Sequence, residues 1–445
     1  MHSPTNSTEI NPKKSPNNSR KHAVIALVVL LSSGVGALIA QSRQLAQATS
    51  ATVPTAASAP AEAPFRLLSN FRISGKVAEI VAATPDGSLL AYSDSESQEI
   101  GFVNIADPAK PKQTGTLKVP GEPTSVAITP NGQWLLCVVH GTPDQLLVVD
   151  LKKRSVVRKM VLGGQPDCIA ISADNRFAAI AIENERPDQK APMPQQPAGF
   201  LTIVDMVGAP AAWKQRKVEL AGLATRFPDD PEPEFIAINS KNQAAVTLQE
   251  NNHVAIIDLA TGKVLKHWST GTTSHAADLQ ADKKVDFAEQ LKDARREPDA
   301  IAWTPGGNLI TANEGDYDLD LKAGEFTGGR NWTLFSPEGK VLYDDATIEP
   351  AMEKAGLYPD KRSDKHGVEP EGATVAKFGQ RSLAFIGCER ADGVAVYDIA
   401  NEAKPQLLQV LTTGDKPEGL IAIPKRGMIV TANEGDGTLS IFRFE

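Results

Sequence analysis

Short apolar runs recur along most of this chain, separated by polar turns, and the runs come in sets of four. The tetrads "TPDG" at 84, "TPNG" at 129, "SADN" at 172, "NSKN" at 239 and "TPGG" at 304 each join two hydrophobic stretches, the pattern of a tight hairpin. A polar loop then leads into a third stretch: "IGFVNI", "LLVVDL", "LTIVDM", "VAIIDL", "VAVYDI" and, at the C-terminus, "LSIFRF". A fourth, less apolar stretch follows in most units, as in "KQTGTLKV", "SVVRKMVL", "KVLKHWS" and "QLLQVLTT". Four antiparallel strands repeating about every 45 residues predict the blades of a β-propeller.

Seven units are legible, starting near residues 76, 121, 164, 230, 296, 368 and 415. The last stops after its third strand, and "FRLLSNFRI" at 65–73 reads as a fourth strand placed ahead of the first unit. Pairing the two closes the ring and leaves no open sheet edge. The predicted fold is all-β, one seven-bladed β-propeller over residues 65–445 closed by its N- and C-terminal strands. Three units carry insertions: a Pro-rich loop at 186–199, a stretch at 274–296 whose Leu279, Phe287 and Leu291 suggest a short helix, and residues 343–367 with a second helix candidate in "EPAMEKAGL".

The region ahead of the propeller has a different character. Residues 23–40, "AVIALVVLLSSGVGALIA", are uncharged and apolar, preceded by Lys13, Lys14, Arg20 and Lys21 and followed by the A-x-A pattern Ala46-Gln47-Ala48. Residues 1–48 therefore read either as a cleaved export signal or as a membrane anchor oriented by its positive flank. Both readings place the propeller outside the cytoplasm: periplasmic, at the cell surface or membrane-anchored. Residues 49–64 form a Pro/Ala/Thr linker with nothing to bury.

Charge narrows the partners. With 46 Lys plus Arg against 54 Asp plus Glu, and aromatic residues at 5%, the chain lacks the dense positive face and stacking rings that nucleic acid rewards. The three cysteines, Cys137, Cys168 and Cys388, sit in apolar strand contexts and read as small buried hydrophobes.

Candidate chemistry comes from aligning the units. A proline before an apolar run marks a strand's first residue, because it cannot donate to the ladder. "REPDAIAW", "VEPEGATV" and "DKPEGLIAI" repeat that arrangement with flanking charges. The slot that follows the proline holds Glu79, Thr124, Asp167, Glu234, Asp299, Glu371 and Glu418. First strands line a propeller's channel, so these residues are expected to form one ring at its mouth. The slot before the proline adds Glu122, Glu232, Glu297 and Glu369. A second series follows the second strands on the same face: Asp94, His140, Glu183, Glu250, Glu314, Glu389 and Glu434, two of them within a repeated "TANEGD".

Crowded carboxylates repel unless something compensates. Three readings follow: ion pairs to arginines such as Arg296, Arg330 and Arg390, a metal site, or acid/base catalysis. Oxygen donors in number suit a hard cation such as Ca2+ better than Zn2+, with Glu234, Asp299, Glu314, Asp316, Glu371, Glu389, Glu418 and Glu434 as the candidate ligands. The histidines show no zinc-type spacing, and no G-x-S-x-G elbow, P-loop or G-x-G-x-x-G occurs. No catalytic residue or organic cofactor site is assigned. Asp150, Asp205, Asp258 and Asp398 end third strands on the opposite face, where an Asx-type cap explains them.

The segments "EPDAIAW...LITANEGDYD", "GGRNWTLFSPEGKVLYDD", "RSDKHGVEPEGATV", "LAFIGCERADGVAVYDI" and "KPEGL...VTANEGDGTLSIF", in that order over about residues 274–445, resemble the choice-of-anchor I family of exported propellers. The N-terminal units match it as generic blades. The resemblance implies a seven-bladed propeller of YVTN or quinoprotein-like type, and relatives labelled alkaline phosphatase, phytase-like or mesenchyme cell-surface glycoprotein-like. Two functions follow. One is an exported or anchored propeller whose acidic face binds Ca2+ and an unidentified ligand or surface partner. The alternative is a metal-dependent phosphoesterase, which needs Arg296, Arg330, Lys365 and Arg390 near the acids to hold phosphate oxygens.

Overall fold

In all five tetrads the amide of the fourth residue donates to the carbonyl of the first: Gly87 to Thr84 and Gly132 to Thr129 at 2.7 Å, Asn175 to Ser172 at 2.9 Å, Asn242 to Asn239 and Gly307 to Thr304 at 3.0 Å. That fourth residue is left-handed each time, with φ of 67°, 70°, 59°, 57° and 83°. Only Gly and Asn fill the position because they tolerate αL at little cost. The turns fix hairpin register, and register fixes which face of each strand is buried.

The structure is a computed structural model that describes residues 64–186, 193–315 and 326–445. Its strands form seven four-stranded sheets and one two-stranded sheet. Blade 1 runs Val81–Ala83, Leu89–Asp94, Glu99–Asn104 and Lys112–Lys118, and the next blades repeat that meander from Glu122–Ile128, Pro166–Ile171, Pro233–Ile238, Ile301–Trp303 and Pro370–Phe378. Blade 7 begins at Pro417–Ile423 and takes its outermost strand, Phe65–Arg72, from the other end of the chain. Middle strands are largely buried, Phe177–Ile182 and Met428–Asn433 along their whole length, whereas outer strands such as Lys112–Lys118 are mostly exposed or half-buried.

The core lies between blades. Leu136, Val138, Leu146 and Val148 of blade 2 pack with Ile169 and Ile180 of blade 3, and Trp332 of blade 5 meets Tyr397 of blade 6 edge-on, with ring centroids 4.9 Å apart. At the closure, Phe65 contacts Phe378, Phe385 and Phe444 at centroid distances of 5.2 to 5.4 Å. Gln409 of blade 6 also brackets Phe65, accepting its N–H at 2.9 Å and donating to its carbonyl at 2.8 Å. All three cysteines are unpaired and buried, and burial pushes their thiols up.

One expected helix is absent. The insertion at 274–296 is a hairpin, Thr272–Ala277 paired with Glu289–Arg295. Its first arm alternates: Thr273, His275 and Ala277 are buried, and Thr272, Ser274 and Ala276 are exposed, the period of a strand. Leu291 belongs to the second arm and Leu279 lies just past the first, so their helix-like spacing comes from two sides of one hairpin packing around Ala277 and Ala294. The other helix is present as Ile348–Lys354, with Ile348 and Met352 buried against Trp332 and Tyr397. Residues 1–63, with the export segment and most of the linker, lie outside the described residues, as do 187–192 of the Pro-rich loop and Asp316.

Because Phe65 is 3% exposed and anchors the closing strand, Phe65→Ala is expected to cost about 3–5 kcal/mol, read as a shift in the denaturant midpoint. A chain starting at Gly75 is expected to lose far more, with low soluble yield, since the edge of Thr438–Phe444 is then bare.

Candidate acidic channel mouth

The slot that follows the proline is a β-bulge. Between the pairs Pro370↔Cys388 and Gly372↔Gly387, Glu371 has no partner, and Glu418 is extra in the same way between Pro417↔Asn433 and Gly419↔Ala432. Thr124 occupies the same place in blade 2, while Asp167 and Glu234 lie in two-against-one irregularities of blades 3 and 4. Blade 5 shows the same motif through backbone bonds: the Asp299 amide donates to Ala312, whose own amide donates to Ala300. A bulge re-aims a side chain off the pleat. Here it turns five acids inward, where Asp167, Glu234, Asp299, Glu371 and Glu418 line one cavity of about 420 Å3 together with Glu183, Glu185, Gln249 and Glu314.

The loops after second strands bring the other series. In both "TANEGD" repeats the threonine donates to the asparagine at 2.8 Å (Thr311 to Asn313, Thr431 to Asn433), and each asparagine amide then bonds hydroxyls of the neighbouring strand, Thr333 at 2.8 Å or Thr438 and Ser440 at 2.9 Å. This buried network holds the turn that presents the glutamate. Gly315 adds a close approach, since a Cβ there would lie 2.0 Å from the Gly328 Cα.

Three acidic groups result, each with its ligand oxygens within 4.8 Å of one another: Asp299, Glu314 and Glu371; Glu183, Glu234 and Glu250; Glu314, Glu369 and Glu389. Their environments differ. Glu369 is clamped by Arg362 and by Arg390 at 2.8 Å, Glu389 by Arg390 at 2.8 Å and Lys416 at 3.4 Å, and Glu434 by Lys416 at 3.1 Å. Glu297 pairs with Arg295 at 2.6 Å. No such ion pair reaches Glu234, Glu314, Glu371 or Glu418 among the described residues; Glu314 has only the Gln249 amide at 3.1 Å. One oxygen of Glu234 and one of Glu371 are buried without a hydrogen-bond partner.

Burial raises the pKa of these four acids well above the ordinary carboxylate range, and like charges add to it: Glu314 and Glu418 on Glu371, Asp299 and Glu369 on Glu314, Glu250 and Asp299 on Glu234, Glu79 and Glu434 on Glu418. Glu389 is also raised by burial, against the pull of Arg390.

The expected sites therefore divide. Asp299, Glu314 and Glu371 converge, Glu418 lines their cavity, Glu234 joins a neighbouring group, and Glu389 and Glu434 belong to an arginine- and lysine-braced rim. Asp94 caps the backbone at Lys76 and Ser97 instead, and Glu122 is exposed. Gln249, Glu185 and Lys416 were not expected; Lys416 was visible in "DKPEGL", where it stands in the slot glutamate fills in other units. On the opposite face Asp150, Asp258 and Asp398 accept backbone N–H groups as turn caps, but Asp205 pairs with Arg216 at 2.8 Å.

The expected arginines are mostly elsewhere. Arg296 is 5% exposed and bound to Asp344 at 2.7 Å, and Arg330 is fully buried, donating to the carbonyls of Asp278, Ser363 and Lys365. Of the basic groups a phosphoesterase needs, Arg390 alone meets the acids, and it is already shared by Glu369 and Glu389. That reading gains no support.

Solved structures show the same architecture. A chain of Kuenenia stuttgartiensis hydrazine synthase is similar over 84% of this chain and 97% of its own, with a TM-score of 0.58 and 17% identity. The β-propeller domain of Cps50 (Swd1) from Myceliophteria thermophila is similar over 86% and 100%, with a TM-score of 0.56 and 10% identity. At such identities the likeness shows the fold alone. No curated protein matches the sequence. The Choice-of-anchor I domain matches residues 79–333 and 340–402, reaching into the N-terminal blades that had read as generic and stopping before blade 7. With the match spanning most of a seven-bladed ring, the chain belongs to the choice-of-anchor I family.

Proposed function

We propose that this propeller works outside the cytoplasm and binds Ca2+ at its acidic channel mouth, through which it holds a ligand or surface partner. Family membership fits an exported propeller. No helix among the described residues is long and apolar enough to cross a membrane, and the candidate signal or anchor at 23–40 lies outside them.

The observation that carries the reading is Glu371. Its carboxylate sits on a bulge, has a buried oxygen without a partner, and shares a 4.8 Å cluster with Asp299 and Glu314. Oxygens so spaced suit ligands of one ion at roughly 2.4 Å, the range Ca2+ takes. A divalent cation there offsets the burial and the like charges that raise the pKa of Glu314 and Glu371. Histidine and cysteine are missing from all three acidic groups, so the donor set favours a hard ion.

Ca2+ added to metal-stripped protein is expected to raise the thermal midpoint, by about 2.7 kcal/mol of stability at a hundred times the dissociation constant. Glu371→Gln is expected to weaken this response more than about tenfold in affinity. Asp398→Asn, at the far end of the same blade, leaves it unchanged. Differential scanning fluorimetry of the three proteins with and without chelator reads the difference.

A pH dependence follows as well. In metal-free protein Glu79 is pushed up from 4.5 to about 8, by burial and then by Glu434 and Glu122, and Asp167 from 3.8 to about 7, by burial and Glu185. The folded state thus keeps protons that the unfolded chain has released. Their contribution to stability is full below the ordinary carboxylate range and is lost as pH rises through about 7 to 8. The thermal midpoint of metal-free protein is expected to fall between about pH 5 and 8 and to fall less in Ca2+.

A further inference from the structure

We infer that the channel mouth takes a second hard divalent cation, held by Glu183, Glu234 and Glu250, separate from the one proposed on Asp299, Glu314 and Glu371. This rests on the reading of the mouth as a Ca2+ site. It adds a site assembled across blades 3 and 4, whereas the first spans blades 5 and 6. Glu183 follows the strand Phe177–Ile182, Glu250 follows Gln243–Leu248, and Glu234 comes from the bulge opening Pro233–Ile238.

Three features separate this group from an ordinary acidic cluster. All three side chains are buried, at 8%, 9% and 2% exposure, and their ligand oxygens lie within 4.8 Å of one another. Glu234, more than nine-tenths buried, has an oxygen that no donor meets among the described residues. A buried carboxylate oxygen without a donor costs folding free energy unless a cation occupies the place. The charges weighing most on Glu234 are themselves acids, Glu250, Asp299, Glu183 and Asp167.

The remaining acidic group serves as a contrast. Glu369 and Glu389 are braced by Arg362, Arg390 and Lys416, and Glu314 is shared with the first site. Protein cations already occupy the role of a metal there, so it adds no third ion. Among the described residues no ion pair reaches the central glutamates of the other two groups, Glu234 and Glu371, and the two groups share no residue.

Stoichiometry tests this. Metal-stripped protein is dialysed against Ca2+ and the bound metal is measured per chain by elemental analysis, with circular dichroism confirming the fold of each variant. The expected result is two ions for the parent chain, one for Glu234→Gln, one for Glu371→Gln and none for the double variant. If Glu234→Gln does not fold, Glu250→Gln takes its place with the same expectation. One ion in the parent, kept by Glu234→Gln and lost by Glu371→Gln, overturns the second site and leaves the first. Two ions in both the parent and Glu234→Gln also overturn the assignment. No bound ion in the folded parent overturns both sites.

Discussion

Five first strands turn an acid, Asp167, Glu234, Asp299, Glu371 or Glu418, into one cavity, and carboxylates gathered in so small a volume repel one another. This repulsion sets the chemistry of the mouth. Two carboxylates in a site of low polarity push one another's pKa up, and burial does the same. Glu371 feels Glu314, Glu418 and Asp299 at once. Protons or cations offset such repulsion, and the protein supplies side-chain cations to part of the mouth.

At the rim it uses its own cations. Arg362 and Arg390 grip Glu369, and Lys416 reaches Glu389 and Glu434. A buried acid paired this way is costly to disturb, since removing the arginine strands a charge. Deeper in the channel no such group arrives at Glu234 or Glu371 among the described residues. The fold can carry this unfavourable centre because it is stabilised elsewhere: interblade packing continues round the ring, and the Phe65 cluster ties the two ends of the chain together.

Blade count and order were legible because they rest on local signals. The fourth residue of each tetrad needs αL, so Gly or Asn marks every turn, and "FRLLSNFRI" looks like an outer strand wherever it falls in the chain. The acidic slot was legible for the same reason, as the bulge recurs at a fixed offset from the turn. What sequence could not give was pairing across blades. Glu183 joins Glu234 and Glu250 only because blades 3 and 4 abut, and Arg296 turns to Asp344 rather than the channel because a long side chain goes where a buried partner waits. The hairpin at 272–295 was misread since Leu279 and Leu291 come from its two sides, a coincidence of spacing that periodicity cannot distinguish from a helix.

On the proposed reading, carboxylates gathered by these bulges hold a hard divalent cation at one end of the channel. Anomalous diffraction from crystals of the protein soaked in Mn2+, a scattering substitute for Ca2+, tests it most directly. A peak is expected within coordination distance of Asp299, Glu314 and Glu371. A soaked crystal with no peak in the channel, and ordered Mn2+ only on the outer surface or the opposite face, would contradict it.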